Sequence, residues 1–429
     1  MKNTIFLTII VCILILSGCY DADSSFPTDE PTQIPTQEPT GVPSPVPTEP
    51  TTEPTTIPTE EPFNNEAKVL RIDGAAGDNF GYTVGISGDY AIVGAPYVDG
   101  SETYNGAAYI YTKSNDTWIA HKKLTASGID TATYRYFGSA VSISGDYAIV
   151  GGPFNAQDAF IFVRNGTSWE EQQKLDGSGI LRFGYAVDIS GSYAIVGNPS
   201  DFNGAGAACL YHRIDTTWSL QIEVIPDNYE YGDNFGKSVG ISGDYAIMGA
   251  PGDSDYGADS GSAFIYVQSG ATWNFHEKLL ASDGATDDLF GSAVAIDRDY
   301  AVVGAPGNED LGIDTGAAYV FVRSGTDWVE QEKLTASDGN SMDFFGTSAA
   351  ISGDYIVAGT KNEMSDTGAA YVFVRNGIDW VEQKKLTASD GATGDEFGFA
   401  VGIFGSTVIA GAPYDDDNGD ASGAGYFYE

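Results

Sequence analysis

A motif that recurs seven times constrains the fold of this chain more than any other feature. Each copy begins with a Phe-Gly pair, and a glycine that opens a Gly-Ala-Pro or related end follows 14 residues after the phenylalanine. The copies lie 46 to 57 residues apart, which is longer than a hairpin and shorter than a domain. The pairs start at Phe80, Phe137, Phe183, Phe235, Phe290, Phe345 and Phe397, and the matching glycines are Gly94, Gly151, Gly197, Gly249, Gly304, Gly359 and Gly411. Seven identical spacings predict a repeat architecture.

Each repeat predicts four β-strands. The first is the apolar run after Phe-Gly, as in Ala140 to Ile143, and the second is the Tyr-Ala-Ile-Val run, as in Tyr147 to Val150. A Ser-Gly-Asp turn joins them in four copies, and its glycine provides the positive φ that a two-residue hairpin requires. The third strand is the run seen at Ala317 to Arg323, and the fourth begins at a tryptophan, as in Trp380 to Thr387. All six tryptophans follow this pattern: Trp118, Trp169, Trp218, Trp273, Trp328 and Trp380.

The repeats are circularly offset along the chain. The seventh repeat ends inside its third strand, whereas the segment Lys68 to Gly74 matches the fourth-strand segment Lys385 to Gly391. The N-terminal segment is therefore predicted to complete the last sheet. A ring needs such a closure and a linear solenoid does not. We predict an all-β fold over residues 63–429, a seven-bladed β-propeller of four-stranded antiparallel blades.

Residue size predicts what lies at the axis of the ring and what lies between its blades. Tryptophans and the aromatic third strands are expected to fill the gaps between neighbouring sheets. Small residues are expected nearest the axis: Gly81, Gly138, Ala140 and Gly184.

The first 62 residues predict export and attachment. Residues 1–19 contain Lys2 and a short apolar run, and they end in Leu-Ser-Gly-Cys, which resembles the lipobox of prokaryotic lipoproteins and implies lipidation of Cys19. The alternative is an ordinary secretory signal with Cys19 incidental. Residues 20–62 carry a proline about every fourth residue with Thr and Glu between, which predicts an extended stalk. We expect a lipid-anchored protein on the outer face of the cell envelope.

The charge of the chain restricts its partners. With 60 acidic against 20 basic residues the net charge is −40, so nucleic acid and anionic lipid are poor partners. The membrane is expected to be reached through the lipid anchor alone.

The seven Phe-Gly and Gly-Ala-Pro ends resemble those of FG-GAP repeat proteins, which include the N-terminal propellers of integrin α-chains. Units such as Ser-Gly-Asp-Tyr-Ala-Ile-Val-Gly-Ala-Pro are most similar to those of the prokaryotic envelope members of that family. The resemblance implies a propeller, and it implies calcium in a loop between the first and second strands. That connection is the tight Ser-Gly-Asp turn in this chain, so calcium at that position is not supported.

Acidic residues gather instead in the loop that follows Gly-Ala-Pro. In three repeats, oxygen-bearing side chains alternate around a glycine, a pattern that suits Ca²⁺. The predicted ligands are Asp253, Asp255 and Asp259; Asn308, Asp310 and Asp314; and Asp415, Asp417 and Asp420. The alternative is a solvated acidic loop whose Gly and Asp serve turn conformations. The first repeat keeps the loop length without the pattern (Asp99, Glu102, Asn105).

A second acidic position lies two residues before the phenylalanine of five repeats. A structural Asx-type turn at the entry to the innermost strand is expected there. These entry loops and the loops after Gly-Ala-Pro are expected on one acidic face, the default place for a ligand. The residues are Asp78, Asp233, Asp288, Asp343 and Asp395.

Signals for catalysis are poor. His121, His212 and His276 lie in different repeats without metal or triad spacing, and Cys209 replaces a third-strand tyrosine as a packed thiol. We therefore predict a monomeric, non-enzymatic surface module for adhesion, which binds an extracellular protein or glycan and is calcium-dependent if the acidic loops bind the ion. The alternatives are a carbohydrate-active envelope enzyme that uses carboxylates of the acidic face, and a structural envelope protein.

Overall fold

A computed structural model describes residues 62–98, 105–127, 135–153, 158–177, 182–200, 204–226, 230–362 and 367–429. The predicted leader with Cys19, the stalk up to residue 61, and Asp99 and Glu102 lie outside the described residues. No helix within these ranges is long and apolar enough to cross a membrane.

The described residues form seven four-stranded antiparallel sheets, or blades, numbered by their order along the chain. The first strands are β2 (Thr83–Ser87), β6 (Ala140–Ser144), β10 (Ala186–Ser190), β14 (Ser238–Ser242), β18 (Ala293–Asp297), β22 (Ser348–Ser352) and β26 (Ala400–Phe404). The second strands are β3 (Tyr90–Ala95), β7 (Tyr147–Gly152), β11 (Tyr193–Asn198), β15 (Tyr245–Ala250), β19 (Tyr300–Ala305), β23 (Tyr355–Thr360) and β27 (Thr407–Ala412). The third strands are β4 (Ala107–Ser114), β8 (Asp158–Asn165), β12 (Ala207–Ile214), β16 (Ser262–Ser269), β20 (Ala317–Ser324), β24 (Ala369–Asn376) and β28 (Ala424–Tyr428). The fourth strands are β5 (Thr117–Leu124), β9 (Ser168–Asp176), β13 (Thr217–Val224), β17 (Thr272–Leu279), β21 (Asp327–Leu334), β25 (Asp379–Leu386) and, for the last blade, β1 (Glu66–Val69).

The blades form a closed ring, which confirms the predicted propeller. Each first strand contacts the first strands of both neighbouring blades, and β26 contacts β2. The N-terminal strand β1 pairs with β28 in antiparallel register, from Glu66 opposite Tyr428 to Val69 opposite Gly425. The predicted completion of the last blade is therefore confirmed.

The recurring glycines hold neighbouring blades together through direct backbone packing. A Cβ atom at Gly94 would lie 2.0 Å from the carbonyl oxygen of Gly138, which is the glycine of the next Phe-Gly pair. Gly138 itself has a φ of +93° and packs against the carbonyl oxygen of Ala107. The same contact recurs at every junction: Gly151 with Gly184, Gly197 with Gly236, Gly249 with Gly291, Gly304 with Gly346, Gly359 with Gly398, and Gly411 with Gly81. Gly81, Gly138 and Gly184 thus lie between blades and not at the axis as expected, because only a residue without a side chain fits this approach.

The core of the protein is a set of layers between the blades. Each fourth-strand tryptophan is buried, and five of them pack edge-on against the second-strand tyrosine of the preceding blade, as Trp380 does against Tyr300 at 5.7 Å. Phe63 takes the place of the tryptophan in the seventh blade, since it makes the same edge-on contact with Tyr355 at 5.7 Å. The predicted aromatic filling between sheets is confirmed.

A central channel runs between the first strands. It is a cavity of about 390 Å³ lined by the middle residues of all seven first strands. Six of these residues are small, and the seventh is Asp188. The six are Gly85, Ser142, Gly240, Ala295, Ala350 and Gly402.

Candidate binding face

The described parts of the longer connections lie on one face of the propeller, which we call the loop face. Because the strands of a blade alternate in direction, the loop between the second and third strands lies on the same side as the connection to the next blade. The amide of Gly252, in the loop after β15, donates a hydrogen bond to the carbonyl of Asp233, in the connection before β14 (3.1 Å). The other side, the turn face, carries the two-residue turns, where Gly88 has the predicted positive φ of 59°.

The loops with the alternating acidic pattern are folded by their own side chains. Asp253 Oδ1 accepts the amide of Asp255 (3.2 Å), and Asp415 Oδ1 accepts the amide of Asp417 (3.2 Å). Asn308 Oδ1 accepts the amide of Asp310 in the same way (3.4 Å). The first residue of each pattern is therefore a buried Asx-type cap of the loop.

A lysine ammonium group lies at the carboxylates in each of these loops. Lys278 Nζ is 2.7 Å from Asp253 Oδ2 and 2.6 Å from Asp255 Oδ2. Lys333 Nζ is 2.5 Å from Asp310 Oδ2 in the next blade. In the last blade, Lys68 Nζ is 2.8 Å from Asp415 Oδ2 and 2.5 Å from Asp417 Oδ2. The lysine comes from the fourth strand of the same blade each time, so its position is fixed by the sheet.

The carboxylates keep these lysines charged. Burial alone would lower the pKa of Lys68, but the hydrogen bonds to Asp415, Asp417 and Asp390 outweigh burial and raise it. The pKa values of Lys278 and Lys333 are raised by the same balance of causes. The ammonium group is therefore a permanent cation at neutral pH.

This arrangement bears on the predicted calcium ligands. The structure brings Asp253 with Asp255, and Asp415 with Asp417, around an ammonium group, whereas Asp259 and Asp420 are exposed at the ends of their loops. Within the described ranges, no group of three or more His, Cys, Asp or Glu residues could hold a metal ion. A Ca²⁺ ion would have to displace the lysine, and calcium binding stays a prediction.

A second set of carboxylates joins neighbouring blades on the loop face. In each case an aspartate lies in the connection that follows one blade. It accepts a hydrogen bond from a third-strand tyrosine of the next blade and forms an ion pair with a fourth-strand lysine of that same blade. Asp338, for example, binds the Tyr371 hydroxyl at 2.7 Å and Lys385 Nζ at 2.8 Å. We call this arrangement the junction latch. Among the described residues it is formed by Asp73 with Tyr109 and Lys123, Asp283 with Tyr319 and Lys333, Asp338 with Tyr371 and Lys385, and Asp390 with Tyr426 and Lys68.

The latch carboxyl groups are more acidic than usual. Burial would raise the pKa of Asp283, but the hydrogen bonds from Lys333 and Tyr319 lower it further than burial raises it. The pKa values of Asp73, Asp338 and Asp390 are lowered by the same causes. These carboxylates therefore stay ionised well into the acidic range.

The five aspartates before the Phe-Gly pairs are buried and structural, as predicted, but their hydrogen bonds run backwards along the chain. Asp395 Oδ2 accepts the amide of Ala392, three residues earlier, at 2.7 Å. The same bond forms at Asp78, Asp233, Asp288 and Asp343. Burial raises the pKa of four of these groups, Asp78, Asp233, Asp288 and Asp395.

The carboxylate of Asp188 lines the central channel, and both of its oxygens are hydrogen-bonded to protein groups. It accepts hydrogen bonds from the Ser142 hydroxyl (2.6 Å) and from the amides of Ile189 (2.9 Å) and Ile241 (2.8 Å). Burial raises its pKa to about 6, although these hydrogen bonds act in the opposite direction. Asp188 thus ties the first strands of three consecutive blades together.

The histidines and Cys209 lie apart from the loop-face carboxylates. His121 and His276 contact the carbonyl oxygens of Thr167 and Thr326, and His212 stacks on Tyr193. Cys209 is buried in β12 at the tyrosine position of the latch, as predicted. The prediction that the protein is not an enzyme stays a prediction.

The lysines and the latch were missed by reasoning from the sequence. The signal was present, because Ser-Asp-Gly follows the fourth strand at residues 282–284, 337–339 and 389–391, and a Lys stands at the next-to-last position of β17, β21 and β25. These residues are far apart in sequence, and only the pairing register shows that they meet.

Comparison with known families agrees with this geometry. A model of the FG-GAP repeat family matches residues 63–111, 118–162, 169–211, 218–266, 273–321, 328–373 and 380–428. The chain belongs to the FG-GAP repeat family. No curated protein was found to match it.

The FG-GAP matches are offset from the blades. The match at 118–162 begins in β5, the last strand of one blade, and ends in β8 of the next. One sequence repeat therefore spans a junction between blades. An FG-GAP propeller suggests a binding or adhesion module in general.

Proposed function

We propose that this chain is an exported, lipid-anchored binding module that recognises an extracellular protein or glycan through its loop face. The observation that carries the proposal is the convergence on one face of connections from the blades, with carboxylates held in place by lysines and tyrosines. Such loops on a rigid scaffold are where binding residues concentrate. Carboxylates fixed before a partner arrives lose little conformational entropy when it binds.

The binding part is tested by comparing the two faces at equal change in charge. Asp259→Asn, Glu309→Gln and Asp416→Asn together neutralise three exposed carboxylates of the loop face without touching the lysine clusters. The matched control neutralises three exposed acids of the turn face, Asp116→Asn, Asp215→Asn and Asp244→Asn. Binding to arrays of extracellular proteins and glycans should fall only for the loop-face variant. Equal loss in both variants would reduce the effect to overall charge and contradict the proposal.

The anchor part rests on Leu16-Ser17-Gly18-Cys19 and on the proline-rich segment after it. Cys19→Ser should release a folded propeller from the membrane fraction, because the lipid on Cys19 is proposed to be the only attachment of the wild type to the membrane. Retention of the variant in that fraction would contradict this part and leave the binding part intact.

Calcium dependence is a separate part of the proposal. Because Ca²⁺ must compete with the lysine ammonium groups, binding is expected to be weak, and to strengthen in Lys278→Met. Thermal unfolding with EDTA and then with millimolar Ca²⁺ measures it, since an ion at tenfold excess over its Kd adds about 1.4 kcal/mol. A rise in midpoint that Asp253→Ala and Asp310→Ala abolish would support the loops as sites. No rise in the wild type or in Lys278→Met would leave them as acidic surface.

A further inference from the structure

A pocket of about 640 Å³ opens on the loop face between blades 3 and 4. One side is formed by Ile222 of β13 and by Ile225, Pro226, Glu230 and Asp233 after it, and the other by the outer strands and the acidic loop of blade 4. We call it the blade 3–4 pocket. Its volume lies within the range of ligand-binding clefts.

At this pocket, the residues that join the blades at the latched junctions are replaced. Phe264 stands at the tyrosine position of the latch, and it has no hydroxyl group to donate. Phe275 stands at the position of Glu330 and Glu382, which elsewhere bind the hydroxyl and amide of a serine in the preceding connection. In the connection after β17, this serine and the latch aspartate are part of the sequence Ala-Ser-Asp-Gly. The chain after β13 continues instead with Pro226.

The walls of the pocket are apolar and largely aromatic. Phe275 is 56% exposed and lies edge-on to Tyr266, with ring centroids 5.7 Å apart. Ile222, Ile225 and Pro226 form the opposite wall. Exposure of so large an aromatic side chain is unfavourable unless something packs against it.

The rim and floor of the pocket are polar and preorganised. Asp253, Asp255 and Lys278 form the ion cluster described above, and Glu230 and Asp233 complete the lining. Asp233 is fixed by the amide of Glu230 at 2.7 Å. The pocket therefore offers charged hydrogen-bond acceptors, one charged donor and aromatic surface side by side.

We propose that the blade 3–4 pocket binds a neutral sugar unit of a glycan. A sugar ring is itself amphipathic: its C–H face is weakly positive and packs on the negative face of an aromatic ring, and its hydroxyl groups donate to carboxylates and accept from an ammonium group. The four carboxylates against one lysine exclude anionic sugars by repulsion. This inference rests on the proposed function and specifies its ligand as a glycan.

An organic cation is the competing ligand, because the same carboxylates would attract it and the aromatic rings would contact it. One substitution separates the two. Phe275→Glu removes the aromatic surface and adds a negative charge, so it weakens binding of a sugar and strengthens binding of a cation. Glu is the residue at this position in blades 2, 5 and 6, so the fold accepts it.

The experiment is isothermal titration of the full-length chain with neutral oligomers of glucose, mannose, galactose and N-acetylglucosamine, two to four units long. At least one oligomer should bind the wild type, and Phe275→Glu should weaken that binding by tenfold or more. Phe404→Glu, the same change at a 49% exposed phenylalanine of the turn face, should leave it unchanged.

Three results would overturn the inference. They are no binding of any neutral oligomer, unchanged binding in Phe275→Glu, and tetramethylammonium binding that Phe275→Glu strengthens. If the first occurs while a protein partner still binds through the loop face, the glycan pocket fails and the proposed binding function stands. If the charge-neutralised loop face also binds its partners normally, the proposed function fails as well.

Discussion

Gly411 and Gly81 meet at the seam of the ring so closely that a Cβ atom on Gly411 would lie 1.9 Å from the carbonyl oxygen of Gly81. Gly411 belongs to the last blade and Gly81 to the first, and the same contact joins each other pair of neighbouring blades. The seven-fold spacing of Phe-Gly and Gly-Ala-Pro is therefore explained by one packing requirement. The two glycines of one repeat serve two different junctions.

Gly411→Ala should destabilise the protein by about 3 kcal/mol or more, because the added methyl group meets backbone that cannot move independently. Gly152→Ala is the matched control: a Cβ there would meet nothing nearer than 3.4 Å, and alanine stands at this position in blades 1, 4, 5 and 7. Urea unfolding measures both. Similar losses in the two variants would show that the seam contact is not limiting.

Lys333→Met should destabilise by about 1 kcal/mol at pH 7, because Asp283 and Asp310 lose their shared ammonium group in a partly exposed site. The folded pKa of Asp283 is lowered, so its stabilisation is present above its unfolded pKa of about 3.9 and is lost as the pH falls through the lower folded value. The difference between variant and wild type should therefore shrink below about pH 4.

The control for this lysine is Lys122→Met, which removes the same charge from an exposed position of β5. Urea unfolding across pH 2.5 to 7 should show little effect of that variant. A loss for Lys333→Met that stays constant down to the lowest pH would instead assign its role to the contact of its ammonium group with the Tyr319 ring, 5.3 Å from the ring centroid.

Asp188→Asn should change how stability depends on pH. The folded pKa of about 6 lies above the unfolded value, so ionised Asp188 costs about 3 kcal/mol at high pH, and this cost disappears as the pH falls from about 7 to 4. The wild type should thus gain stability relative to Asp188→Asn over that range. Asp244→Asn, on the turn face, is the control for the general relief of negative charge on acidification. Parallel curves for the wild type and Asp188→Asn would contradict the raised pKa.

Leu289→Asn should stabilise the protein by roughly 1 kcal/mol, although it removes an apolar side chain. Leu289 precedes a Phe-Gly pair and has a φ of +58°, which leucine adopts at a cost. Asparagine occupies the equivalent positions Asn79 and Asn234, with φ of +51° and +56°. Thermal unfolding of Leu289→Asn and of the exposed control Leu311→Asn distinguishes backbone relief from a general effect. A lower midpoint for Leu289→Asn would show that its side-chain contacts outweigh the strain.

The fold could be predicted from the sequence because the residues that determine it recur at regular intervals along the chain. The spacing from Phe80 to Gly94 repeats in each unit, and the match of Lys68 to Lys385 reveals the closure. The sequence match predicted that the N-terminal strand completes the last blade, but not which residue takes the tryptophan position there. Phe63 replaces a tryptophan and was invisible to a count of tryptophans, although it fills the same space.

The loop face was predicted as a location but not as chemistry. The alternation of Asp253 and Asp255 suggested an inorganic cation, and the structure places the Lys278 ammonium group beside them. This could not be inferred from the loop alone, because the lysine lies 23 and 25 residues away and reaches the loop through the register of β16 and β17. The blade 3–4 pocket arises in the same way, from replacements on several strands that become meaningful only when the strands are adjacent.

The closure of the last blade has a mechanical consequence. The chain leaves the ring through β1, a strand of four residues, and Asn65 and Glu429 exchange backbone hydrogen bonds of 3.2 Å beside it. Tension applied through residue 62 is therefore borne first by the buried Phe63 and then by β1 and its contacts with β28. A sufficient pull would peel that strand away and leave the last blade with three strands, while the six blades made of consecutive strands kept their own hydrogen bonds.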